Sequence, residues 1–448
     1  MSRLKSRLFG AADINACFTD QALLGAMLEF ESALAAAQAE AGIIGRGAAQ
    51  VIAEVCAAAQ FDADELGGAA RQAGTLTIPF VKALTAQVAA RDPEAARYVH
   101  WGATSQDVVD TALVLQLGRA ASLLLAALVR LGNAVSVLAE RHRDTPMAGR
   151  TLLQAATPIT FGWKAATWLT SLTRSLEHFR RVSQSAAVLQ FGGASGVLGA
   201  LGGDGWQVAN QMAGRLGLQL PDSSWHSARD SIARYGSEVA ILCGGAGKIA
   251  RDVVLLMQSE VGEVFEAAAG GSSAMPHKRN PVGSVFALEA AQRAPGLVAT
   301  LHAQLTPEHE RGFGQWQSQW WTMADLCGAA GSSLEAMAVV CEGLQVDSVA
   351  MLSNIERTRG LLFAEALSVA LAASLGKSEA HRVTEALCRQ AALSREHLRE
   401  VAGESPEVRA ALSGAALVAV FEAHNALGAA GEMTDWTVAA WHALRDKA

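Results

Sequence analysis

The strongest constraint on the fold is a set of very long stretches in which apolar residues recur at three- and four-residue spacing. This spacing runs through residues 113–142, 158–190, 230–268 and 282–304, and a shorter example covers residues 20–42. Such periodicity is typical of α-helices, and these very long stretches are apolar on all sides. Helices this long and this apolar need partners on several sides, because most helix stability in water comes from packing. The sequence therefore predicts an all-α protein with a long central helical bundle.

The bundle has a consequence for assembly. Helices within one chain can cover only some of their apolar faces, so we expect closed, symmetric self-association through the bundle. Strand signals are scarce, since the hairpin-type dipeptide Asp204-Gly205 has no alternating apolar runs beside it. We therefore expect no substantial sheet.

The length and the change in helix pattern along the chain predict several domains. A chain of 448 residues is too long for one compact core. Shorter helices up to about residue 110 indicate an N-terminal helical domain, and residues 111–350 carry the long helices. Residues 351–448 return to shorter, more charged helices and indicate a C-terminal helical domain.

Charge and composition exclude several function classes. The net charge of -7 argues against general nucleic-acid binding, which needs basic surface. The longest apolar stretch, residues 120–129, ends at Arg130 and is shorter than the ~20 residues of a membrane span. Asp13, Asn15 and Asp20 interrupt any N-terminal signal core, so we expect a cytoplasmic protein. The cysteines lack metal-type spacing, and no metal site is predicted.

One connecting segment concentrates polar chemistry between two long helical stretches. Residues 270–281 hold glycines, two serines and three consecutive side chains of basic type, His277, Lys278 and Arg279. The glycines let the backbone turn and approach a ligand, and the basic group supplies charge for an anion. Composition alone leaves open the alternative of a surface connection with a solvated basic patch.

A longer pattern decides how this segment is interpreted. The run from Gly271 to Pro281, Gly-Ser-Ser-Ala-Met-Pro-His-Lys-Arg-Asn-Pro, is similar to the signature loop of the fumarase/aspartase superfamily at every fixed position. Residues 102–107, Gly-Ala-Thr-Ser-Gln-Asp, and residues 149–158 resemble the superfamily's first and second regions. The resemblance spans most of the chain. It implies a three-domain helical fold and a homotetramer whose active sites are shared between subunits.

The resemblance also implies a chemistry for the signature loop. Members of the superfamily remove a proton from a carbon alpha to a carboxylate and beta to a leaving group, through an aci-carboxylate. The role of base carries over to Ser272, and Lys278 and Asn280 match the carboxylate-binding pair. A free serine is too weak a base at neutral pH, so its alkoxide needs loop N–H groups and Lys278 nearby. Met275 of the same loop belongs to the predicted substrate-binding set.

The other two regions supply hydroxyl and amide groups. Thr104, Ser105, Thr151 and Gln154 match superfamily positions that hold substrate carboxylates by hydrogen bonds. An ordinary helix N-cap is the alternative for Thr104 and Ser105, and the two roles are compatible.

Two further residues are candidates for substrate binding. His100 matches a His-x-Gly-x-Thr-Ser pattern of the superfamily, although a lone histidine is often structural. Arg311 resembles a Glu-Arg element after the signature loop and could clamp a carboxylate with two hydrogen bonds. A solvated charged turn is the alternative for Arg311. His226 has only a structural interpretation.

One departure from the superfamily pattern points to a branch. Where fumarases and carbon-nitrogen lyases of the superfamily carry a histidine on the acid side, this chain has Leu152. An amine leaving group has to be protonated, whereas a carboxylate with a pKa of about 4 leaves as a stable anion. Leucine therefore fits the cycloisomerase branch, in which an internal carboxylate adds to a double bond. Residues 73–84 and 191–196 are also similar to that branch.

The combined expectation is an enzyme that acts on a small polycarboxylate without a metal or an organic cofactor. A carbon-nitrogen lyase resembling adenylosuccinate lyase is the first alternative. A catalytically silent structural or binding protein on the same scaffold is the second, and the complete signature loop argues against it.

Overall fold

The computed structural model describes residue 4, residues 8–267, residue 275 and residues 278–446, and within them the protein is all-α apart from two small antiparallel sheets. This confirms the predicted fold class. The helices are α1 (Ala12–Ala16), α2 (Asp20–Glu40), α3 (Arg46–Ala58), α4 (Ala63–Ala73), α5 (Thr77–Arg91), α6 (Ser105–Arg141), α7 (Phe161–Ala186), α8 (Gly205–Leu216), α9 (Asp230–Leu256), α10 (Val282–His302), α11 (Gln315–Glu342), α12 (Ser348–Glu356), α13 (Ala364–Leu375), α14 (Lys377–Ser394), α15 (Leu398–Glu404), α16 (Pro406–Ala411), α17 (Gly414–Val420) and α18 (Ala430–Arg445). The strands are β1 (Pro146–Thr151), β2 (Gln154–Thr160), β3 (Val264–Phe265) and β4 (Gln345–Val346).

The long helical predictions hold except at their ends. The prediction of helix over 230–268 is wrong beyond Leu256, where α9 ends. Gly262 there adopts a left-handed φ of 59°, and the short strand β3 pairs with β4. The prediction over 158–190 starts three residues early, because residues up to Thr160 belong to β2 and the Thr160 hydroxyl accepts from the Trp163 N–H at 2.9 Å.

The described chain divides into two compact units made of discontinuous segments. The first unit comprises residues 1–127, 175–244 and 289–333, and the second comprises residues 128–174, 245–288 and 334–448. The boundaries between these units cut through long helices. The division into three domains at about residues 110 and 350 therefore stays a prediction.

The core of the first unit joins its N-terminal helices to the start of α6 and to the segment that follows α7. Phe30 of α2, Ile52 of α3 and Phe80 of α5 are almost completely buried in this core, together with Phe191. Burying a side chain of this size contributes about 1.5–3 kcal/mol relative to leaving it exposed. The loop after α5 is therefore held against a packed layer.

The long helices of the first unit pack closely. The hydroxyl of Tyr235 on α9 donates to the carbonyl of Leu117 on α6 at 3.1 Å. A Cβ at Gly236 would lie 2.2 Å from a terminal methyl of Leu301 on α10, so a larger residue there would force the Leu301 side chain to move.

The expectation that no segment could cross a membrane is wrong by length and composition. Helices α6 and α11 contain 18-residue windows with mean hydropathies of 1.9 and 1.2, which are sufficient for a span. Over such a window, a single charged residue does not offset the surrounding alanines, leucines and valines. The chain buries 56% and 67% of these windows, so internal packing uses much of their apolar surface.

The second unit contains a tight helix contact that is suited to a stability test. Trp441 of α18 is fully buried, its indole N–H donates to Asn133 at 3.0 Å, and a Cβ at Gly132 of α6 would overlap its ring. Gly132→Ala should therefore lower the free energy of unfolding by about 1–3 kcal/mol through overpacking.

Gly118, in the same helix, is the matched control because no atom lies within 4 Å of a Cβ built there. Gly118→Ala should raise the free energy of unfolding by about 0.5–1 kcal/mol, since glycine is the poorer helix former. Urea unfolding of both variants measures these changes. Equal changes in the free energy of unfolding would contradict the tight contact between Trp441 and Gly132.

Candidate active site

The first region, residues 102–107, lies where the chain enters helix α6. Thr104 directly precedes the helix and Ser105 is its first residue, and both are partly exposed. Gly102 has a left-handed φ of 77°, and a Cβ at this position would lie 2.8 Å from Leu201. Glycine is therefore required for the chain to turn into the helix here.

Arg311 reaches this helix start through two hydrogen bonds. Its Nη1 donates to the hydroxyl of Thr104 at 2.9 Å, and its Nη2 donates to the carbonyl of Ala194 at 2.9 Å. Its Nε is buried without a hydrogen-bond partner among the residues that the structure describes. The structure thus brings Arg311 into contact with Thr104, the neighbour of Ser105, although sequence analysis predicted these carboxylate binders on two segments far apart along the chain.

The N-terminus of α6 is capped by Asp107. Asp107 Oδ2 accepts from the Thr104 N–H at 2.9 Å, and the Asp107 N–H donates to the Thr104 carbonyl at 3.0 Å. This is the side-chain-to-backbone half of a capping box. Because the hydroxyl of Thr104 contacts Arg311, Thr104 combines the N-cap position with a contact to the predicted anion-binding side chain.

His100 lies in the same segment and pairs with a buried carboxylate. Its Nδ1 is 2.6 Å from Oε1 of Glu31 on α2, and its own φ is 61°. Burial opposes the charged ring, but the adjacent Glu31 carboxylate overcomes this effect by its charge and its hydrogen bond, so the pKa of His100 is raised. The carbonyl of Trp101 accepts from Gln38 at 2.6 Å. Two residues of α2, Glu31 and Gln38, therefore hold the turn at His100 and Trp101.

The second region forms a β-hairpin in the second unit. Strands β1 and β2 pair so that Thr151 and Gln154 face each other, and both are exposed. Leu152 and Leu153 form the two-residue turn, with left-handed φ values of 50° and 65° and exposed fractions of 96% and 77%. A left-handed conformation costs roughly 1–2 kcal/mol per non-glycine residue, so this apolar tip is strained.

A buried ion pair holds the base of this hairpin. Arg150 donates two hydrogen bonds to Glu263, at 2.9 and 2.6 Å, and the Glu263 side chain is completely buried. The amide of Asn354 donates to Glu263 Oε1 at 2.7 Å. Charged hydrogen bonds of this bidentate kind fix geometry as well as adding stability. Thr151 and Gln154 therefore project from a fixed support.

Within the signature loop, the structure describes Met275 and residues 278–281. Lys278 is exposed, and its backbone N–H donates to the carbonyl of Met275 at 3.0 Å. Met275 is 44% exposed, and the carbonyl of Asn280 accepts from the Val282 N–H at 2.9 Å. Ser272, the predicted base, lies outside the described residues.

Glu266 and Arg279 anchor the chain next to this loop. The carboxylate of Glu266 is buried and accepts from the N–H groups of Gly283 and Ser284, at 2.8 and 3.0 Å, at the start of α10. The guanidinium of Arg279 lies 5.1 Å from the ring centre of Phe265 and donates to the Glu266 carbonyl at 3.1 Å. Arg279 therefore has a structural contact, whereas the neighbouring Lys278 faces solvent.

Sequence analysis missed the residues that hold the predicted ones in place. Asp107 lies inside the first motif but received no role, although the Thr-x-x-Asp spacing from Thr104 is a signal for helix capping. Glu263 and Glu266 gave no signal, because their partners lie far away along the chain. His226 is buried with its Nε2 2.7 Å from Asp107 Oδ1, in agreement with its structural interpretation.

Comparisons with known proteins agree with the family resemblance that the sequence motifs indicate. A family profile described as "Lyase" matches residues 10–296, and one described as "Adenylosuccinate lyase C-terminus" matches residues 360–436. The chain is 47% identical to a 3-carboxy-cis,cis-muconate cycloisomerase of Pseudomonas aeruginosa, over 99% of this chain and 97% of that protein. A relative of the same name from Bradyrhizobium diazoefficiens is 47% identical over 97% of each chain. The crystal structure of 3-carboxy-cis,cis-muconate lactonizing enzyme from Pseudomonas putida matches with a TM-score of 0.94 at 43% identity, covering 99% of this chain and 100% of that one.

The raised pKa of His100 predicts a pH-dependent contribution to stability. A cation whose folded-state pKa exceeds its ordinary value of 6.5 stabilises the fold fully below about pH 6.5. That contribution is lost as the pH rises through the raised pKa. The difference in unfolding free energy between wild type and His100→Gln should therefore be largest near pH 6 and narrow towards pH 9.

Urea unfolding at a series of pH values measures this difference. In a Glu31→Gln background the His100→Gln difference should depend much less on pH, because the carboxylate that raises the pKa is gone. With Glu31 present, the difference in unfolding free energy between wild type and His100→Gln should change with pH. A difference that stayed constant from pH 6 to pH 9 would contradict an ion pair between His100 and Glu31.

Proposed function

The chain belongs to the fumarase/aspartase superfamily of lyases, and on this basis we propose that it interconverts 3-carboxy-cis,cis-muconate and 4-carboxymuconolactone. Relatives that carry this activity in their names align over nearly the whole chain. The observation that carries the proposal within this chain is the combination of Leu152 at the position of the acid-side histidine with a complete signature loop in the sequence. The reaction belongs to the protocatechuate branch of the beta-ketoadipate pathway.

The proposed reaction needs a proton transfer at one carbon and no acid for the leaving group. In the forward direction, a carboxylate oxygen of the substrate forms a C–O bond to one carbon of a double bond. The electron pair of that double bond moves toward the carbon alpha to another carboxylate, through an aci-carboxylate, and that carbon gains a proton. In reverse, the alpha proton is removed and the C–O bond breaks, releasing a carboxylate that is stable as an anion.

The predicted residues divide these tasks. Ser272 donates the proton to the alpha carbon in the forward direction and accepts it in reverse, with its alkoxide stabilised by Lys278. Asn280 binds a substrate carboxylate beside Lys278. The aci-carboxylate carries more charge than the ground state, so donors placed at its oxygens accelerate the step.

Thr104, Ser105 and Arg311 form a second carboxylate-binding group. The support for this role is the contact of Arg311 with Thr104 and its buried, unpartnered Nε among the described residues. His100 lines the same segment and keeps Nδ1 engaged with Glu31. Thr151 and Gln154 present a hydroxyl and an amide from the hairpin to the remaining carboxylate, and Met275 contacts the substrate from the loop.

In the proposed reaction, Leu152 takes no part in proton transfer. An apolar side chain at the tip of the hairpin supplies no proton and is suited to face the hydrocarbon part of the substrate. The strain of the Leu152-Leu153 turn supports a functional role, because strained backbone persists where the surroundings fix it.

Assembly is part of the same proposal. We propose a cytoplasmic homotetramer with active sites shared between subunits and the three-domain division at about residues 110 and 350. Large apolar side chains remain exposed on the long helices, as expected for surfaces that a partner covers. They include Val137, Ile241, Val285, Trp321 and Val339.

A carbon-nitrogen lyase is the second candidate function. The match of residues 360–436 to the C-terminus of adenylosuccinate lyase favours it. Leu152 argues against it, because an amine leaving group needs the acid that this position lacks.

The function is tested by the ultraviolet absorbance of candidate substrates. Purified protein should remove the conjugated-diene absorbance of 3-carboxy-cis,cis-muconate, including after treatment with a chelator. Adenylosuccinate, argininosuccinate and fumarate serve as comparison substrates under the same conditions. Ser272→Ala is the control variant, and its turnover should fall by roughly 10²-fold or more through loss of the proton-transfer group.

A higher kcat/KM for adenylosuccinate than for 3-carboxy-cis,cis-muconate would contradict the proposal and support the second candidate. Ser273→Ala, which changes the neighbouring hydroxyl, should cost much less than Ser272→Ala.

A further inference from the structure

The carboxylate of Asp107 is the most heavily bonded buried group near the proposed site. Its side chain has no exposure to solvent. Oδ1 accepts from the Gly192 N–H at 3.0 Å and lies 2.7 Å from His226 Nε2. Oδ2 accepts from the N–H groups of Gly193 and Thr104, both at 2.9 Å. One side chain thus joins the start of α6, the loop that contains Gly192 and Gly193, hereafter the glycine loop, and the segment before α9.

Two of these segments carry the anchors of Arg311. Thr104 supplies the hydroxyl that accepts from Nη1, and Ala194, the residue after Gly193, supplies the carbonyl that accepts from Nη2. Both anchors are bonded to Asp107 either directly or through the adjacent residue. A shift of the carboxylate would therefore move both ends of the guanidinium fork.

We propose that Asp107 is a positioning residue that sets the orientation of Arg311 for binding a substrate carboxylate. This inference rests on the proposed function, in which Arg311 and Thr104 bind one carboxylate of the substrate. Asp107 itself is buried behind Thr104 and acts only through its partners.

The glycine loop is built for this contact. A Cβ at Gly192 would lie 2.6 Å from the Cβ of Ser224 and 2.9 Å from the Cα of Gly196, and Gly193 has a left-handed φ of 71°. Two consecutive N–H groups can converge on one carboxylate only because these positions lack side chains. Without a preceding strand, this Gly-Gly sequence is better explained as a seat for Asp107 than as a phosphate loop.

The support continues below Asp107. His226 is buried, and its carbonyl accepts from the Gln106 amide at 2.9 Å. The same amide donates to Asp110 at 2.9 Å, and Asp110 pairs with Arg229 at 2.6 Å. The Gln106 amide thus links the backbone of His226 to the Asp110–Arg229 pair, whereas the ring of His226 contacts Asp107.

Charge and positioning predict opposite effects for the isosteric variant Asp107→Asn. If Asp107 acted only through its charge, removing a negative group near Arg311 would strengthen the binding of an anionic substrate. If it acts by position, an amide cannot accept from all four donors, Arg311 loses its orientation, and binding weakens. The sign of the change in KM therefore separates the two roles.

The experiment measures KM and kcat for 3-carboxy-cis,cis-muconate in wild type, Asp107→Asn and Asp110→Asn. Asp110 is the matched control, because it lies three residues away on α6, is equally buried and pairs with Arg229 rather than with the Arg311 anchors. We expect Asp107→Asn to raise KM roughly tenfold or more, with a smaller loss in kcat. Asp110→Asn should lose thermal stability to a similar degree while its KM changes much less.

Calorimetric titration with tricarballylate, a non-reacting tricarboxylate, separates this inference from the proposed function. Weaker tricarballylate binding in Asp107→Asn than in Asp110→Asn supports the positioning role of Asp107. This result would hold even if wild type did not convert carboxymuconate, and that lack of turnover would contradict only the proposed function. A KM for Asp107→Asn that is unchanged or lower, or one that equals that of Asp110→Asn, overturns the positioning role while turnover by wild type stands.

His226→Leu covers the case in which Asp107→Asn does not fold. It removes one of the four donors and leaves the charge of Asp107 intact. KM should rise in the same direction by a smaller factor, and an unchanged KM in a folded His226→Leu variant would overturn the proposal.

Discussion

Burial of the Asp107 carboxylate is the constraint on which the arrangement of the first region depends. An ionised carboxylate removed from water costs several kcal/mol unless hydrogen bonds compensate it. Four donors from three separate segments do so here. Moving any of these segments would leave a buried charge partly unsatisfied, so Thr104, the glycine loop and His226 are held in one geometry. Arg311 takes its orientation from the first two.

The second unit contains two further buried carboxylates that accept several hydrogen bonds. Glu263 is buried beneath the hairpin and binds Arg150 and Asn354, while Glu266 is buried beneath the end of the signature loop and caps α10. In each case a buried acidic side chain forms hydrogen bonds to the segment that carries the motif, and the exposed side chains of the motif are neutral or cationic. This division suits a polyanionic substrate, because the exposed side carries donors while the buried carboxylates are compensated by their own hydrogen bonds. Lys278, Thr151 and Gln154 are accordingly exposed.

Much of this arrangement could be predicted from sequence, for reasons that differ by feature. The long helices follow from apolar periodicity, which is a local property. The hairpin at Leu152 was missed because its turn has Leu-Leu where the common two-residue turns have Asn-Gly, so no local signal marks it. The role of Asp107 was missed because Gly192 and His226 lie 85 and 119 residues away along the chain. Only the fold determines which donors meet a buried carboxylate. Ser272 was found by motif alone and lies outside the described residues.

We propose that the Arg311–Thr104 group of one copy and the signature loop of another form one active site when several copies assemble. Complementation between two inactive variants tests it most directly. Arg311→Met damages the first unit and Ser272→Ala damages the signature loop in the second, and each variant should be nearly inactive alone. When differently tagged preparations are dissociated, mixed and reassembled, the mixture should regain activity on 3-carboxy-cis,cis-muconate, since some shared sites receive an intact residue from each copy. Mixed assemblies that contain both tags but no regained activity would contradict the account.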